Sequence, residues 1–522
     1  MKNFKLYYLI AFIEGASVMA IELAGAKMIA PFYGTSLYVW SSVLAVTLGG
    51  LTLGYFIGGR ATYKYPGTKL LFLVLLVGAI LIALMPLFAL RVMPAMMDLG
   101  LRMASLISAT CFMLLPLVCM GMVSPILIQL SNDELKGTGK TAGNIYAIST
   151  VGGIIMTLLM GFYLLPEWGI RKSIFLTASL LISMPVLLFF SNRKFKGWLI
   201  SGLLVLSFVV LGSFKPFKDP QLYFHFLYQS EGILGQVSVL ENPLPQSNRV
   251  FRLLFLNNIA QTKCNVDFIP ASGWSYPHRL ATLASVKPKG SRALLIGMGG
   301  GSVAMELKKM GFVVDVVEID KRMPEIAETY FGFKPDNMTV NIDDGRHYIK
   351  STNHKYDLVI TDVLNGETQP SHLFTVEAFK DLKNILANDA LVLINFQGYL
   401  KGKHGLAARS IYKTLIESGF NTKYFHQGTE TEDGDIHFIA TLGNLNFNSI
   451  NANRLNDCCK VMEFNHADII TETALSVTDG LVLHDDQPKL EVIGNYWNEE
   501  YRKSSLNLFL KPYAENEIPF FQ

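Results

Sequence analysis

The sequence predicts a multi-pass α-helical membrane domain followed by an α/β Rossmann-like domain with a small β-rich part at its start. Half of the residues are apolar and 17% are charged, which is too apolar for an ordinary soluble enzyme of this length. The apolar excess is concentrated before residue 214. From Ala293 to Asp320 the pattern reads strand, glycine turn, helix and second strand, the nucleotide-holding half of a Rossmann-like unit.

The membrane domain, residues 1–213, is predicted from seven apolar stretches. Most of them are long enough to cross a hydrocarbon core of about 30 Å as a helix. The final stretch is the shortest, and we expect no cleaved signal peptide because the first stretch contains two glutamates. The stretches are Tyr7–Ile29, Leu37–Gly58, Leu70–Leu90, Ser105–Leu130, Gly143–Leu165, Ser173–Phe190 and Trp198–Gly212.

The charges between these stretches create a conflict over topology. Lysine and arginine residues near positions 2–5, 60–69, 136–140 and 193–196 fall on one side if the spans alternate. The positive-inside rule then puts the N-terminus in the cytoplasm, and seven crossings put the α/β domain outside. Nucleotide substrates are made in the cytosol, so we expect a membrane protein with a cytoplasmic α/β domain and question Trp198–Gly212 as a span.

Polar and small residues inside the membrane domain suggest two features. Gly50, Gly54 and Gly58 recur every fourth residue, which lets another helix approach closely. Glu14 and Glu22 are costly at membrane depth, and they indicate either a functional cavity or a structural hydrogen-bond network with partners such as Asn144.

The second part is predicted in three segments. Residues 214–290 are β-rich, with strand-like segments at Ile233–Glu241 and Val250–Thr262. Residues 291–445 form the nucleotide-binding core, a mainly parallel sheet with helices on both faces. Residues 446–522 are a C-terminal extension. The core strands are predicted at Ala293–Ile296, Val313–Glu318, Thr339–Ile342, Asp357–Thr361 and Leu391–Asn395.

Acidic residues follow the second, third and fourth of these strands. Ligands of such sheets bind at the carboxyl ends of the strands. Gly297, Gly299 and Gly301 allow the first turn to approach a ligand closely. Glu318 can accept both hydroxyls of a ribose, and Asp343 or Asp344 can accept from the amine of adenine. The series is completed by Asp320 and Asp362.

At this point the chain resembles the spermidine synthases, or polyamine aminopropyltransferases, and their membrane-fused bacterial branch. The motifs that carry the resemblance are LLFLNNIAQT, LLIGMGGGS, VEID, DDG, YDLVITD and SHLFTVEAF, together with the segment Gly15–Trp40 and the late DDQP. The resemblance implies a Rossmann-like domain of the class I methyltransferase and spermidine synthase type, polyamine biosynthesis, and a homodimer by analogy.

The resemblance also implies a set of site residues. Glu318 and Ile319 would bind the ribose side of decarboxylated S-adenosylmethionine. Asp344 and Gly345 would lie toward adenine, and Gln236 and Gln261 near the methionine-derived end. Asp362 would be the catalytic acid, which orients and deprotonates an amine so that it attacks the carbon beside the sulfonium, and we group Tyr276 with it.

Three substrate-holding positions depart from the family pattern. Gly300 stands where the glycine turn usually carries an acid, Asn365 where a second amine-holding acid is usual, and the segment before the turn reads Tyr276, Pro277, His278. Ordinary transfer to putrescine is therefore in doubt, and intact S-adenosylmethionine becomes a candidate substrate.

The resulting hypothesis is cleavage of the Cγ–S bond with release of methylthioadenosine, either by transfer to an amine or by cyclisation of the substrate. The alternatives are an S-adenosylmethionine-dependent methyltransferase and a polyamine or nucleotide transporter or sensor. We expect no metal and no cofactor besides the nucleotide substrate, because no metal-ligand spacing is present. The five cysteines are predicted to be free thiols, and the net charge of +3 gives no reason to expect nucleic acid.

Overall fold

A computed structural model describes residues 4–131, 138–191, 225–232, 234–243, 249–364, 366–426, 434–444, 475, 477–487 and 489–516. The chain divides into two compact units. The helical unit comprises Met1–Pro220, Gln229–Val237 and Leu506–Gln522. The α/β unit comprises Gln221–Tyr228 and Ser238–Ser505.

Six long helices in the described residues make up most of the helical unit, and they match the first six predicted stretches. The seventh, Trp198–Gly212, lies outside the described residues. Five helical runs are long and apolar enough to cross a membrane. The helices are α1 Phe4–Tyr33, α2 Leu37–Lys64, α3 Thr68–Met96, α4 Leu101–Ser131, α5 Thr138–Leu159 and α6 Gly169–Ser191, with a π-helical segment Met160–Trp168 between the last two.

The last of these runs, Thr138–Leu188, is 51 residues long. At a rise of about 1.5 Å per residue it would exceed two hydrocarbon thicknesses, so it is too long for one crossing. Gly169 interrupts it with a φ of 78° and a ψ of 178°. We therefore treat α5 and α6 as separate spans, which gives six in the described residues.

The glycine repeat of α2 faces α4. A Cβ on Gly54 would lie 2.4 Å from the carbonyl oxygen of Val118 and 2.7 Å from the Cα of Gly121. Only glycine permits two helix backbones to come this close. The predicted close helix packing is confirmed.

The carboxylate of Glu14 is buried and bound. The hydroxyl of Ser149 donates to its Oε2 at 2.8 Å, and the residue is 2% exposed. The prediction that Asn144 is a partner of the glutamates is wrong, since the amide of Asn144 donates to the hydroxyl of Tyr8 at 3.4 Å instead. Glu22 is partly buried. Glu14 therefore has a hydrogen-bond partner inside the helical unit.

Four strands precede the nucleotide core and form a separate sheet in the order β1-β2-β3-β4. They are β1 His225–Ser230, β2 Val237–Pro243, β3 Val250–Leu256 and β4 Ile259–Asn265. The single segment predicted over Val250–Thr262 was wrong. Asn257 and Asn258 take φ values of 49° and 64°, which asparagine tolerates and a two-residue hairpin turn requires, so the chain reverses there.

In the described residues, the core sheet has seven strands in the order β10-β11-β9-β8-β5-β6-β7. The pairs among β5 to β9 are parallel, as predicted, whereas β11 pairs antiparallel with β9 and β10. The antiparallel strands were not predicted. The strands are β5 Arg292–Ile296, β6 Val313–Glu318, β7 Thr339–Ile342, β8 Tyr356–Thr361, β9 Leu386–Gly398, β10 Asn421–His426 and β11 Gly434–Thr441.

Helices cover both faces of this sheet. Leu294 and Ile296 of β5 point into one hydrophobic core, and Ala293 and Leu295 point into the other, as the two-residue period of a strand dictates. The described helices are α7 Tyr276–Ala284, α8 Ser302–Lys309, α9 Met323–Phe331, α10 Gly345–Ser351, α11 Val376–Lys383, α12 Leu406–Glu417, α13 Lys489–Ile493 and α14 Asn495–Asn516.

The strand order brings β5 and β8 side by side, although β6 and β7 lie between them in sequence. The connections leave β5 and β8 toward opposite sides, so a crevice opens at their carboxyl ends. The turn after β5 and the acid after β8 meet at this edge. The fold thus determines where a ligand can bind.

Candidate active site

The turn after β5 is shaped by glycines in left-handed conformations. Gly297, Gly299 and Gly301 have φ values of 89°, 50° and 82°. A Cβ on Gly297 would lie 2.0 Å from the carbonyl oxygen of Asp362. The turn therefore passes directly against the end of β8, where a larger residue would be both strained and crowded.

The β3–β4 hairpin packs against the outer side of Gly300. Its backbone N–H donates to Oγ1 of Thr262 at 2.8 Å. A Cβ here would lie 2.6 Å from Cγ2 of Thr262 and 3.1 Å from the ring of Phe331. Thr262 therefore fills the space that a side chain at position 300 would enter.

Glu318 ends β6 and reaches back to the turn. Its Oε2 accepts from the N–H of Met298 at 2.9 Å, and its Oε1 accepts from the N–H of Asp320 at 2.9 Å. Burial raises the pKa of Glu318, and these backbone hydrogen bonds oppose the increase. Each oxygen keeps a lone pair, so two hydroxyls of a ribose can still be accepted. The neighbouring Ile319 is exposed and offers an apolar surface beside this carboxylate.

Asp343 and Asp344 follow β7 and are both engaged locally. Asp343 lies 2.7 Å from Nδ1 of His347. Asp344 caps α10, accepting from the N–H groups of Arg346 and His347 at 2.9 and 3.0 Å, and it lies 3.0 Å from Nε2 of His372. Although burial acts to raise it, these hydrogen bonds hold the pKa of Asp344 below its ordinary value. The adjacent Gly345 packs against Ile296.

Asp362 follows β8 and is the centre of a buried polar group. Its Oδ1 accepts from the amide of Asn395 at 2.8 Å, and the hydroxyl of Tyr276 is hydrogen-bonded to it. Burial raises the pKa of Asp362 to about 6, the hydrogen bonds from Asn395 and Tyr276 oppose this, and the charge of Asp435 adds to it. The carboxyl therefore titrates near neutral pH, as a proton acceptor requires.

Tyr276 lies at the start of α7 and is held in its neutral form. Burial raises its pKa well above the ordinary value, and the negative charges of Asp362 and Asp435 add to the increase. A neutral phenol donates a hydrogen bond to a carboxylate. Tyr276 therefore orients Asp362 in the absence of substrate.

A second layer of charge supports this group. Asp435 on β11 accepts from Nη2 of Arg279 at 2.6 Å and from the amide of Gln397 at 3.2 Å. Arg279, itself 2% exposed, also donates to Nε2 of His437 at 3.0 Å. Burial, followed by the charge of Arg279, lowers the pKa of His437 well below its ordinary value, so this histidine is neutral.

The loop beyond Asp362 is held by the C-terminal helix α14. Arg502 is 1% exposed, pairs with the buried carboxylate of Glu367, and donates to the carbonyl of Asn257 at 3.2 Å. The amide of Gln261 donates to the carbonyl of Gly366 at 3.1 Å. The hairpin turn and the loop after the candidate catalytic acid are thus fixed together.

The remaining predicted site residues are His278, Gln236 and Asn365. His278 is 1% exposed, and its Nε2 lies 3.1 Å from the carbonyl of Ser272. Its assignment to the substrate end stays a prediction. Gln236 belongs to the helical unit, where its amide donates to Glu231 at 2.8 Å. Asn365 lies outside the described residues.

Three residues of this site were not found from the sequence. Asn395 ends a predicted strand, so the strand-end rule that selected the acids could have found it. Thr262 and Asp435 reach the site through the hairpin and the antiparallel strand β11, neither of which was predicted. In the part of the chain that the structure describes, no group of three or more metal-ligating side chains is assembled.

Cysteines in the described residues carry no further site. Cys111, Cys119 and Cys264 are free thiols. Cys458 and Cys459 lie outside the described residues.

Comparison with known proteins agrees with this geometry. The chain is similar to the polyamine aminopropyltransferase of Vibrio vulnificus (strain CMCP6), with 39% identity over 128 residues, 23% of this chain and 43% of the relative. It therefore spans less than half the length of that relative. It is also similar to polyamine aminopropyltransferase 2 of Aquifex aeolicus (strain VF5), with 22% identity over 424 residues, 78% of this chain and 82% of the relative.

A solved structure with a related chain path is the spermidine synthase of Thermotoga maritima, at a TM-score of 0.38 and 18% identity, covering 48% of this chain and 84% of that one. Residues 276–416 match the spermine/spermidine synthase domain. These matched residues include α7 with Tyr276, the glycine turn, Glu318, Asp344 and Asp362.

Proposed function

We propose that this protein is a membrane-bound, spermidine synthase-like enzyme that binds S-adenosylmethionine or its decarboxylated form and breaks the Cγ–S bond, releasing methylthioadenosine. The observation that carries the proposal is Asp362, a carboxyl with a pKa of about 6 at the crevice between β5 and β8. It is held by Tyr276 and Asn395 and adjoins a glycine turn fit for a nucleotide.

The transfer step requires little of the protein besides positioning. The lone pair of an amine attacks Cγ, a new N–C bond forms, and the C–S bond breaks with its electron pair going to sulfur. Methylthioadenosine leaves as a neutral thioether. The proton of the alkylated amine passes to Asp362, whose anionic form is available above about pH 6. Tyr276 and Asn395 keep the carboxylate aimed at the amine.

The nucleotide end is held by a different set of groups. Glu318 can accept the ribose hydroxyls, and Ile319 offers an apolar surface beside it. Asp344 has a lone pair left for the adenine amine after capping α10.

The absence of a charged side chain at Gly300 supports intact S-adenosylmethionine as a substrate. An acid in that place would repel the α-carboxylate of the substrate, by on the order of several kcal/mol in a desolvated site. Thr262 occupies the space instead and carries no charge. The carboxylate of the substrate can then attack its own Cγ, closing a lactone while the C–S bond breaks. That cyclisation transfers no proton and requires no acceptor.

The side of the membrane depends on the number of spans. Six crossings by the described helices would return the chain to the cytoplasmic side on which the positive-inside rule puts its start. A cytoplasmic catalytic unit in a bacterial inner membrane therefore requires that Trp198–Gly212, which lies outside the described residues, does not cross.

The test is product analysis with purified full-length protein in detergent or lipid nanodiscs. Incubation with each nucleotide, with and without an amine, should release methylthioadenosine together with an alkylated amine or a lactone. S-adenosylhomocysteine as the only nucleoside product would identify a methyltransferase. Saturable nucleotide binding without any product would indicate a sensor or transporter.

A further inference from the structure

Residues 481–487 of the C-terminal extension, which include most of the late DDQP motif, lie against the α/β sheet domain in a fixed place. We call them the C-terminal strap. The N–H of Leu483 donates to the hydroxyl of Thr414 on α12 at 3.0 Å. The carbonyl of Leu483 accepts from the N–H of Val376, the first residue of α11, at 2.9 Å. Its side chain is 2% exposed. The strap is therefore anchored to two helices and to the core.

Asp485, the first acid of the motif, is bound through both its backbone and its carboxylate. Its N–H donates to Oε2 of Glu377 at 3.1 Å. Its Oδ1 accepts from the hydroxyl of Thr375 at 2.5 Å. Its two oxygens also accept from the guanidinium of Arg346 at 3.2 and 3.4 Å. A turn alone does not require these contacts, so the motif presents a carboxylate to Arg346.

Arg346 joins three segments of the chain. It lies on α10 and is 7% exposed. Its Nε donates to Asp381 on α11 at 2.8 Å, and its Nη1 donates to the backbone carbonyl of His372 at 2.8 Å. A guanidinium has five N–H donors in a rigid plane, so it can bind partners in several directions at once. Arg346 therefore fixes the backbone of His372 relative to α10, with Asp485 on its other side.

The ring of His372 returns to the acid that caps α10. Oδ1 of Asp344 accepts from both N–H groups at the start of the helix, and Oδ2 lies 3.0 Å from Nε2 of His372. A carboxylate can only accept, so Nε2 bears the proton of this histidine. The direction of the Asp344 carboxylate is thus set by α10 on one side and by His372 on the other. Oδ2 keeps a lone pair for one further donor.

We propose that Arg346, with Asp485 as its partner, is a positioning residue for nucleotide binding, which holds His372 and Asp344 so that Oδ2 of Asp344 meets the exocyclic amine of adenine. The inference rests on the proposed function and deepens it, because it assigns part of the C-terminal extension to the adenine end of the site. Arg346 and Asp485 act through His372 and Asp344 and are not catalytic residues.

The test measures the Kd of two nucleosides for full-length protein by calorimetric titration. The first is methylthioadenosine, and the second is the methylthio derivative of purine riboside, which lacks the exocyclic amine. Asp485→Ala removes the carboxylate that binds Arg346. It should raise the Kd of methylthioadenosine about tenfold, the effect of one weakened hydrogen bond to a charged group. The Kd of the second nucleoside should change less than twofold, whereas general loosening of the fold would weaken both alike.

A second variant tests the shape of the arginine rather than its charge. Arg346→Lys keeps the positive charge but cannot bind Asp381, Asp485 and the carbonyl of His372 together. It should raise the Kd of methylthioadenosine by a similar factor and again spare the second nucleoside. This variant keeps the test valid if Asp485→Ala fails to fold.

The matched control is Asp479→Ala, which removes another ion pair of the C-terminal extension. Asp479 lies 2.6 Å from Arg409 on α12, and its side chain is 58% exposed, against 44% for Asp485. It should leave both Kd values within twofold of the wild type. An effect equal to that of Asp485→Ala would assign both acids to holding the extension in place, against the inference.

A double-mutant cycle links the effect to the adenine acid. In an Asp344→Ala background, Asp485→Ala should no longer change the Kd of methylthioadenosine, because the acceptor that it helps to orient is gone. The same tenfold change in both backgrounds would overturn the inference.

The remaining outcomes separate this inference from the proposed function. If the wild type binds both nucleosides equally, or if Asp485→Ala weakens both equally, the inference is overturned while methylthioadenosine release from the substrate still supports the proposed function. If the selective loss is found but turnover yields only S-adenosylhomocysteine, the positioning role stands and the proposed reaction is wrong. A wild type that binds neither nucleoside overturns both.

Discussion

Two aspartates at strand ends of the same sheet have opposite electrostatic environments. Asp344, after β7, accepts from two backbone N–H groups and faces His372, and its pKa is lowered although burial opposes this. Burial raises the pKa of Asp362, after β8, to about 6. The hydrogen bonds from Asn395 and Tyr276 oppose this increase, and the charge of Asp435 adds to it. The difference shows that position at a strand end selects candidates, whereas the depth of burial, set against the hydrogen bonds received, decides the direction in which each pKa moves.

The largest effect is expected when Asp362 can no longer accept a proton. Asp362→Asn keeps the shape and the hydrogen bond with Asn395 but cannot take a proton. We expect turnover by amine transfer to fall about 10²- to 10⁴-fold, the usual contribution of general base catalysis, with the nucleotide Kd retained. Methylthioadenosine release in single turnovers measures the first and equilibrium dialysis the second.

The matched control is Asp389→Asn, since Asp389 is exposed near the opposite end of β9, where it pairs with Lys287 at 3.1 Å. It should leave both quantities unchanged. Unchanged turnover in Asp362→Asn would remove Asp362 from the mechanism and favour cyclisation or a binding function.

A second test removes the charge of Glu318, the proposed ribose-binding residue. Glu318→Gln replaces an oxygen that accepts from Met298 or Asp320 by an amide nitrogen, so one N–H loses its acceptor. The nucleotide Kd should rise about 10- to 100-fold, or roughly 1.5–3 kcal/mol for a charged hydrogen bond. Calorimetric titration with S-adenosylmethionine measures this, and an unaltered Kd would show that the ribose binds elsewhere.

The pH profile tests the pKa of Asp362 directly. Because a raised pKa keeps the carboxyl protonated up to about pH 6, kcat at saturating amine should fall as pH decreases through that value. Asn395→Leu removes a hydrogen bond that favours the anion, so the acid limb should move to higher pH. Rates between pH 5 and 8 measure the shift, and a limb near pH 4 in the wild type would contradict the assignment.

The smallest effect concerns Asp344 as a helix cap. Asp344→Ala leaves the N–H groups of Arg346 and His347 without their acceptor and should lower the free energy of unfolding by about 1 kcal/mol. Asp344→Asn retains a capping oxygen and should lose less. Thermal unfolding in detergent measures both variants, and equal losses would indicate that the charge matters more than the cap.

The sequence alone predicts those parts of the structure that depend on a local pattern of residues. The apolar stretches, the five parallel strands and the acids after β6, β7 and β8 all follow from periodicity and from the rule that ligands bind at strand ends. The glycine face of α2 also follows, because its four-residue repeat has a direct geometric meaning.

What the sequence does not reveal depends on tertiary neighbours. Thr262 reaches Gly300 only because two asparagines reverse the chain, and Asp435 reaches Asp362 only because β11 inserts beside β9. The burial of His278 likewise depends on how its helix packs. The burial of a carboxyl and the donors around it are properties of the folded chain, so the sequence does not predict the contrast between Asp344 and Asp362.

The ion pair between Arg502 and Glu367 has a consequence for how the protein is made and studied. Arg502 follows Glu367 by 135 residues along the chain, and until α14 is in place Glu367 lacks this cationic partner at a site where its side chain is 4% exposed. An unpaired buried charge is strongly destabilising. The loop after Asp362 should therefore be fixed only once α14 has docked, and a variant without α14 should be less stable.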